Sequence, residues 1–432
     1  MDRREFLART GLALGAAALA SARSAVAAKP APAPPTWDWL RAQFDLDPAY
    51  IHMTQFFLSS HPRPVREAID AHRRALDRNP YGYFDDNVER LEAAVLAAAA
   101  HYLGGDPTDI ALTDSTTMGL GLLYGMLDLA PGQEIVTTTH DHYSTVESLR
   151  LRADRTGAGL KSVPLYDQPA RATTAEIVAR MTGALGPRTR VLAVTWVHSS
   201  TGVKLPLRAM ADALARVNAG RDERDRVLFC VDGVHGLGNQ AESVAELGCD
   251  FFVAGCHKWL FGPRGTGLVW GRPAAWKSLR PVVPSFNWPA FKIFMGITPR
   301  HELPPSETYS PGGFKPFEHR WALTEAFGLH ETLGRARVAE RVAALNTQLK
   351  EGVRNLPGLT LHTPVSPEVS AGINCFEVAG HTTHEIVERL RARKVIASTA
   401  PYATQFARLS VNAVNTPEEV DRAVAALRAS MG

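Results

Sequence analysis

The chain has 432 residues, 45% of them hydrophobic and 21% charged, which suits a soluble globular protein with a sizeable buried core. The formal net charge is only +3, and Arg3, Arg4, Arg9 and Arg23 against Asp2 and Glu5 account for +2 of it. A near-neutral remainder excludes the broad basic surface that nucleic acid or an anionic membrane would require, leaving small molecules or another protein chain as the expected partners.

The N-terminus has the pattern of an address. Arg3-Arg4-Glu5-Phe6-Leu7 is a twin-arginine pair, followed by a weakly apolar run and then Ala25-Val26-Ala27, an A-x-A cleavage site. The apolar run is shorter than the ~20 residues a membrane-spanning helix needs. Residues 1–27 are therefore expected to be a twin-arginine signal, with a periplasmic mature protein that has no membrane span. The Ala/Pro-rich stretch that follows predicts a linker over 28–43. Residues 44–65 are expected to join a small domain, with a large domain over 66–305 and the rest of the small one over 306–432.

From about residue 65 onward, short apolar runs alternate with helical patterns. Strands are predicted over 109–114, 134–139, 162–166, 190–197, 227–232 and 251–255, and helices over 118–129, 143–155, 174–185, 207–218 and 243–247. That alternation predicts an α/β fold with a mostly parallel sheet covered on both faces, seven-stranded once the strand after 251–255 is counted. Residues 265–270 add a strand whose connection is too short for a parallel crossover, so it is expected to run antiparallel. A helix over 320–354, broken near Gly334, leads to a smaller α/β pattern that closes with a helix from Pro417. The four cysteines, Cys230, Cys249, Cys256 and Cys375, lie in or beside apolar runs and are expected to be buried thiols rather than a disulfide framework.

In open α/β sheets, ligands gather at the carboxyl ends of the strands. Four such ends here carry polar groups. Ser115, Thr116 and Thr117 open a helix and suit a phosphate. His140 and His142 follow the next strand, Asp232 and His235 follow the apolar Leu228-Phe229-Cys230, and His257 and Lys258 follow Ala254-Gly255-Cys256. An acid and a lysine that each close a buried strand suit pyridoxal 5′-phosphate (PLP): the amine forms a Schiff base, and the carboxylate keeps the pyridine nitrogen protonated.

The runs Val231-Asp232-Gly233-Val234-His235, Ala254-Gly255-Cys256-His257-Lys258 with Gly262-Pro263-Arg264-Gly265-Thr266-Gly267, and Ala407-Arg408-Leu409-Ser410 resemble signatures of the class V aminotransferases. That is a fold-type I PLP family containing isopenicillin N epimerase, cysteine desulfurases and kynureninase. The opening (Phe44-Asp45-Leu46, Asn79-Pro80-Tyr81) and the export signal are most similar to the epimerase-like branch, which includes periplasmic enzymes that tailor pyoverdine siderophores. The resemblance implies Lys258 as the Schiff-base lysine, Asp232 as the pyridinium partner and His235 on the cofactor's 3′-oxygen. It also implies His142 stacked on the ring, Ser199 near the same oxygen, and Ser115, Thr116, Thr117 and His257 around the phosphate. Arg408 would hold the substrate carboxylate.

A homodimer is implied too, with a Gly-Thr pair reaching the neighbour's phosphate; here the pair reads Gly312-Gly313. Many relatives have a serine where this chain has Gly255. His52-Met53-Thr54-Gln55-Phe56-Phe57 replaces the usual Asn/Gly-rich turn, and residues 377–407 lack the mobile cysteine of a desulfurase. Transamination, epimerisation, elimination and decarboxylation all share the same electron sink, so the residues leave the reaction open; an exported peptide or siderophore amine is one expected substrate.

Two rival readings compete with this one. His140, His142, Asp232, His235 and His257 are metal-competent and would serve a metal-dependent hydrolase, although that leaves Lys258 without a role. Gly119, Gly121 and Gly125 miss the dinucleotide spacing and fall inside a predicted helix.

Overall fold

The computed structural model describes residues 34–432; the expected signal over 1–27 and the start of the expected linker lie outside them. The span expected to be linker contains a helix. Trp37–Arg41 is a helix capped by Thr36, whose side chain accepts the Trp39 N–H at 3.1 Å. Its Leu40 is fully buried, and Arg41 pairs with Glu419 of the last helix, so apolar burial outweighs the Pro-rich composition just before it. Strand β1 (Ile51–His52) then pairs in parallel with a short strand near residue 395.

Two helices beyond the predicted set, Arg63–Arg78 and Pro80–Leu103, cross the molecule before the main sheet. The sheet consists of β2 (Ile110–Thr113), β3 (Glu134–Thr138), β4 (Gly159–Val163), β5 (Thr189–Thr195), β6 (Leu228–Asp232), β7 (Phe251–Gly255) and β8 (Gly267–Gly271). Its order is β2-β8-β7-β6-β5-β3-β4. β8 runs antiparallel to both neighbours, as its short connection requires, and every other pair is parallel. Strands β5 to β8 are buried along their whole length, which is why they read as unbroken apolar runs.

β4 lies three residues earlier than expected. It is an edge strand with no fully buried residue, whereas the apolar Leu165 and Tyr166 lie in the loop beyond it and are buried there. Gly119 sits inside the helix Thr116–Met126, where a Cβ would come within 2.7 Å of Val253. It is a close helix–sheet packing position and not a dinucleotide turn.

Helices Leu323–Leu333 and Arg335–Val353 break at Gly334 (φ 83°). They lead to β9 (Leu359–Leu361), β10 (Ile373–Val378), β11 (Val395–Ile396), β12 (Ser398–Thr399) and β13 (Ala407–Ser410). Four of these form an antiparallel sheet of order β12-β13-β10-β9, and β11 is the partner of β1. Residues Pro35–Gly432 pack as one compact unit. Among the described residues, no helix is long and apolar enough to cross a membrane.

Candidate active site

Because β2, β3, β5, β6 and β7 all point the same way, their carboxyl ends meet at one edge of the sheet. A cavity of about 320 Å³ lies there. It brings together Ser115, Thr116, Thr117, His142, Ser199, Asp232, His235, His257, Lys258 and Arg408, which come from strand ends spread over about 300 residues.

Lys258 follows β7 by three residues, in a turn closed by the Phe261 N–H on the Lys258 carbonyl at 3.0 Å. Phe261 holds a left-handed φ of 60°, strained for a bulky residue. Its ring is fixed between Phe44 and His330, with centroids 5.0 and 5.3 Å away. The Ser59 hydroxyl donates to the carbonyls of His257 and Lys258 at 3.0 and 2.9 Å, clamping the turn from the N-terminal segment. Burial lowers the Lys258 amine to about 8, against a smaller opposing pull from Asp232.

Asp232 ends β6 and is 2% exposed. Burial raises its carboxyl to about 6, only partly offset by the Val234 N–H, which donates to Oδ1 at 3.1 Å. His235 is also buried and held neutral by that burial. The Trp259 indole N–H points at its Nδ1 from 3.3 Å, and an indole can only donate. Nδ1 is therefore the acceptor, and Nε2 carries the proton toward the cavity, 3.4 Å from Lys258 Nζ. The same logic fixes His142, whose Nδ1 accepts the Ser144 N–H at 3.2 Å as the cap of its helix.

Ser115 caps the helix Thr116–Met126 through the Met118 N–H at 3.1 Å. Gly255 donates its N–H to the Thr116 hydroxyl at 2.8 Å, freeing the Thr116 proton for an anion. A Cβ on Gly255 would lie 2.8 Å from that same oxygen, so Thr116 occupies the room that a serine would need. The Thr195 hydroxyl lines the cavity, buried and without a partner. A helix N-terminus with free hydroxyl donors, a buried carboxyl and a lysine of lowered pKa together fit a phosphorylated aldehyde with a basic ring.

Arg408, on β13, is 4% exposed and uses three of its N–H groups. They donate to Ser398 Oγ (3.2 Å), the Ser199 carbonyl (3.1 Å) and the Thr399 carbonyl (2.9 Å). A guanidinium has five donors, so two remain for a ligand. Phe56 lies under its plane with the guanidinium carbon 4.8 Å from the ring centre.

Gly313, expected to reach the phosphate of a neighbouring subunit, stands half-exposed on a loop outside this cavity, with φ 103°. The five metal-competent residues make no ligand set: His142, Asp232, His235 and His257 line the cavity, but His140 does not. His140 turns away from His142 and stacks on Tyr166 at 3.9 Å, and its Nε2 accepts the Leu165 N–H at 3.3 Å. Among the described residues no group of three or more His, Cys, Asp or Glu side chains is arranged to hold a metal, and a hydrolase built on these five has no centre.

Sequence reasoning missed several residues of the site. Phe57, Leu58 and Pro401 line the cavity mouth, and Tyr402 bonds the Ser199 hydroxyl at 2.7 Å. They lie in irregular segments that carry no motif. The only available signal was the apolar Phe56-Phe57-Leu58, in a stretch that departs from relatives.

A family model for aminotransferase class-V matches residues 83–423. The chain belongs to the class V aminotransferase family. An isopenicillin N epimerase from Streptomyces clavuligerus is 28% identical over 415 residues, covering 92% of this chain and 98% of that protein. A cysteine desulfurase from Klebsiella pneumoniae (strain 342) is 26% identical over 355 residues, covering 78% and 82%. Among solved structures, a variant of C-DES with glycine covalently linked to its PLP cofactor has the same fold, with a TM-score of 0.80 at 21% identity and coverage of 90% and 98%. This class V protein is an enzyme, and its cofactor is PLP.

Proposed function

We propose that this class V enzyme breaks and remakes a bond at the amine-bearing carbon of an amino acid or amino-acid-like group, as an epimerase or aminotransferase does. The observation that carries the reading is the shared cavity of Lys258, Asp232 and Arg408. Bound there, PLP supplies an electron sink for the bond that breaks. Lys258 would hold the cofactor through its amine, and that amine is placed to move a proton at the neighbouring carbon. Asp232 would hold a proton on the ring nitrogen, and His235 would offer its Nε2–H to the 3′-oxygen, with Ser199 available to the same oxygen. His142 would cover the ring, while Ser115, Thr116, Thr117 and His257 would hold the phosphate. Arg408 offers its two unused donors to the substrate carboxylate as a planar fork.

Amine chemistry is supported over sulfur transfer by the cysteines. All four are buried, and burial pushes the Cys375 thiol up to about 12, so none is an accessible thiolate. The twin-arginine pattern supports a periplasmic enzyme, for which an exported peptide or siderophore bearing an amino-acid group is the natural substrate. A homodimer in which Gly313 reaches the partner's phosphate is supported by exposed apolar side chains nearby, including Trp288, Phe294 and Phe314.

The test is solvent exchange. In D₂O the loaded enzyme should wash deuterium into the α-position of amino acids it accepts, followed by proton NMR. Arg408→Ala should raise KM roughly 30-fold, the equivalent of about 2 kcal/mol for a charge-assisted pair, with a smaller change in kcat. No exchange with any amino acid would sink the proposed chemistry, and an unchanged KM would remove Arg408 from the carboxylate site.

The lowered Lys258 amine adds a pH expectation. Covalent capture of added PLP by the apoenzyme should accelerate as pH rises through about 8, where the neutral amine appears. A midpoint near the ~10.4 of an exposed lysine would show that burial does not set its reactivity.

A further inference from the structure

The inner end and the mouth of the cavity make different demands on a substrate. All the charged side chains that line it, Asp232, Lys258 and Arg408, are buried or half-buried, with Asp232 2% and Arg408 4% exposed. The mouth is open and mostly apolar: Phe57 is 62% exposed, Leu58 47% exposed, and Pro401 is exposed, with Thr117 the one polar residue exposed in the lining.

These rim side chains are held in place. Phe56, 1% exposed, packs beneath Arg408 and lies 5.8 Å from the His235 ring. On the other side, Ser59 is tied to the carbonyls of His257 and Lys258, its own N–H adding a bond to His257 at 3.2 Å. The Phe57 N–H donates to the Thr54 carbonyl at 2.9 Å. Phe57 and Leu58 are therefore presented at the mouth by two buried anchors, next to the residues that would hold the reacting head.

At about 320 Å³ the cavity is at the small end of ligand sites, which span roughly 300–1,000 Å³, and the cofactor must share it. Only the amino-acid head of a substrate fits inside. Whatever the head carries must leave across the rim, where no charged side chain meets it.

We propose that Phe57 and Leu58 are specificity-determining residues that bind an extended apolar portion of the substrate, so the enzyme selects amino-acid groups carrying a long alkyl or an aryl substituent over small polar amino acids. The proposal rests on the head-group reading of Lys258 and Arg408. Apolar contact with the rim gives affinity that grows with substituent length, while Arg408 contributes equally to every member of a series.

The experiment is an equilibrium titration of the PLP-loaded enzyme with L-2-amino acids from alanine to 2-aminooctanoic acid and with 2-amino-4-phenylbutanoic acid, read by the change in cofactor absorbance. In wild type, Kd should fall about fourfold per added methylene once the chain reaches the rim. The Phe57→Ser, Leu58→Ser double variant should flatten that dependence at an unchanged elution volume. A flat series in wild type, or a full slope in the variant, overturns the proposal while leaving the head-group reading intact. A variant that elutes as a smaller species also overturns it, because the rim would then be a subunit contact. Alanine binding that survives Arg408→Ala unchanged, or no binding by any member, overturns the head-group reading and this proposal with it.

Discussion

Lys258→Ala should abolish turnover, with a loss of at least ~10⁴-fold, and leave a folded protein that binds PLP without a covalent bond. Two roles disappear together in this variant. The amine that would anchor the cofactor is gone, and so is the group that would move a proton at the substrate carbon. The turn itself should survive, because the Ser59 hydroxyl and the Phe261 N–H hold its backbone carbonyls and not the lysine side chain. Wild type should show an absorption band near ~420 nm that borohydride converts to a permanent mass adduct on the peptide carrying Lys258. The variant should show no adduct after the same treatment. Lys258→Arg separates charge from nucleophilicity: it keeps a cation in the cavity but supplies no amine, and it should be as inactive as the alanine variant. A covalent adduct that persists in either variant would move the anchoring role to another lysine.

Much of this site was legible because its residues are local to strand ends. Asp232 and Lys258 each follow a fully buried apolar run, and a polar residue closing such a run belongs at the carboxyl edge of a parallel sheet. The central strands were legible for the same reason, and so was the antiparallel β8, through its short connection. What was not legible depends on contacts between distant segments. Phe57 and Leu58 reach the cavity from about 200 residues before Lys258, in a stretch with no periodicity. Tyr402 meets Ser199 across 203 residues. His140 and His142 look equivalent in sequence, but the chain turns between them, and one stacks on Tyr166 while the other lines the cavity. β4 was misplaced because an edge strand needs only one covered face, while the more apolar Leu165 and Tyr166 are buried by tertiary packing outside any strand. The helix within the expected linker was missed because composition cannot reveal that Leu40 has a place in the core.

Asp232→Asn tests the electronic half of the site. Asparagine keeps the shape, and its amide oxygen can still accept a hydrogen bond, but it carries no charge to hold a proton on a ring nitrogen. Turnover should fall about a thousandfold, the scale for removing a buried charge aimed at the reacting system, while covalent capture by Lys258 persists. The substitution should also change how the apoenzyme responds to pH. Folding raises the Asp232 carboxyl to about 6 from an unfolded value near ~3.9, so the folded state binds the extra proton between those limits. Its contribution to stability is complete below the unfolded value and is lost as pH rises through the folded one. Wild-type apoenzyme should therefore lose up to about 3 kcal/mol relative to Asp232→Asn between pH ~4 and about 6, seen as a falling difference in Tm. Loading with PLP should reverse the sign. A ring nitrogen that shares its proton with Asp232 stabilises the carboxylate, so the loaded wild type should gain Tm over the loaded variant near neutral pH. If both forms of the two proteins melt in parallel across this range, Asp232 is an ordinary buried acid with no bearing on the cofactor.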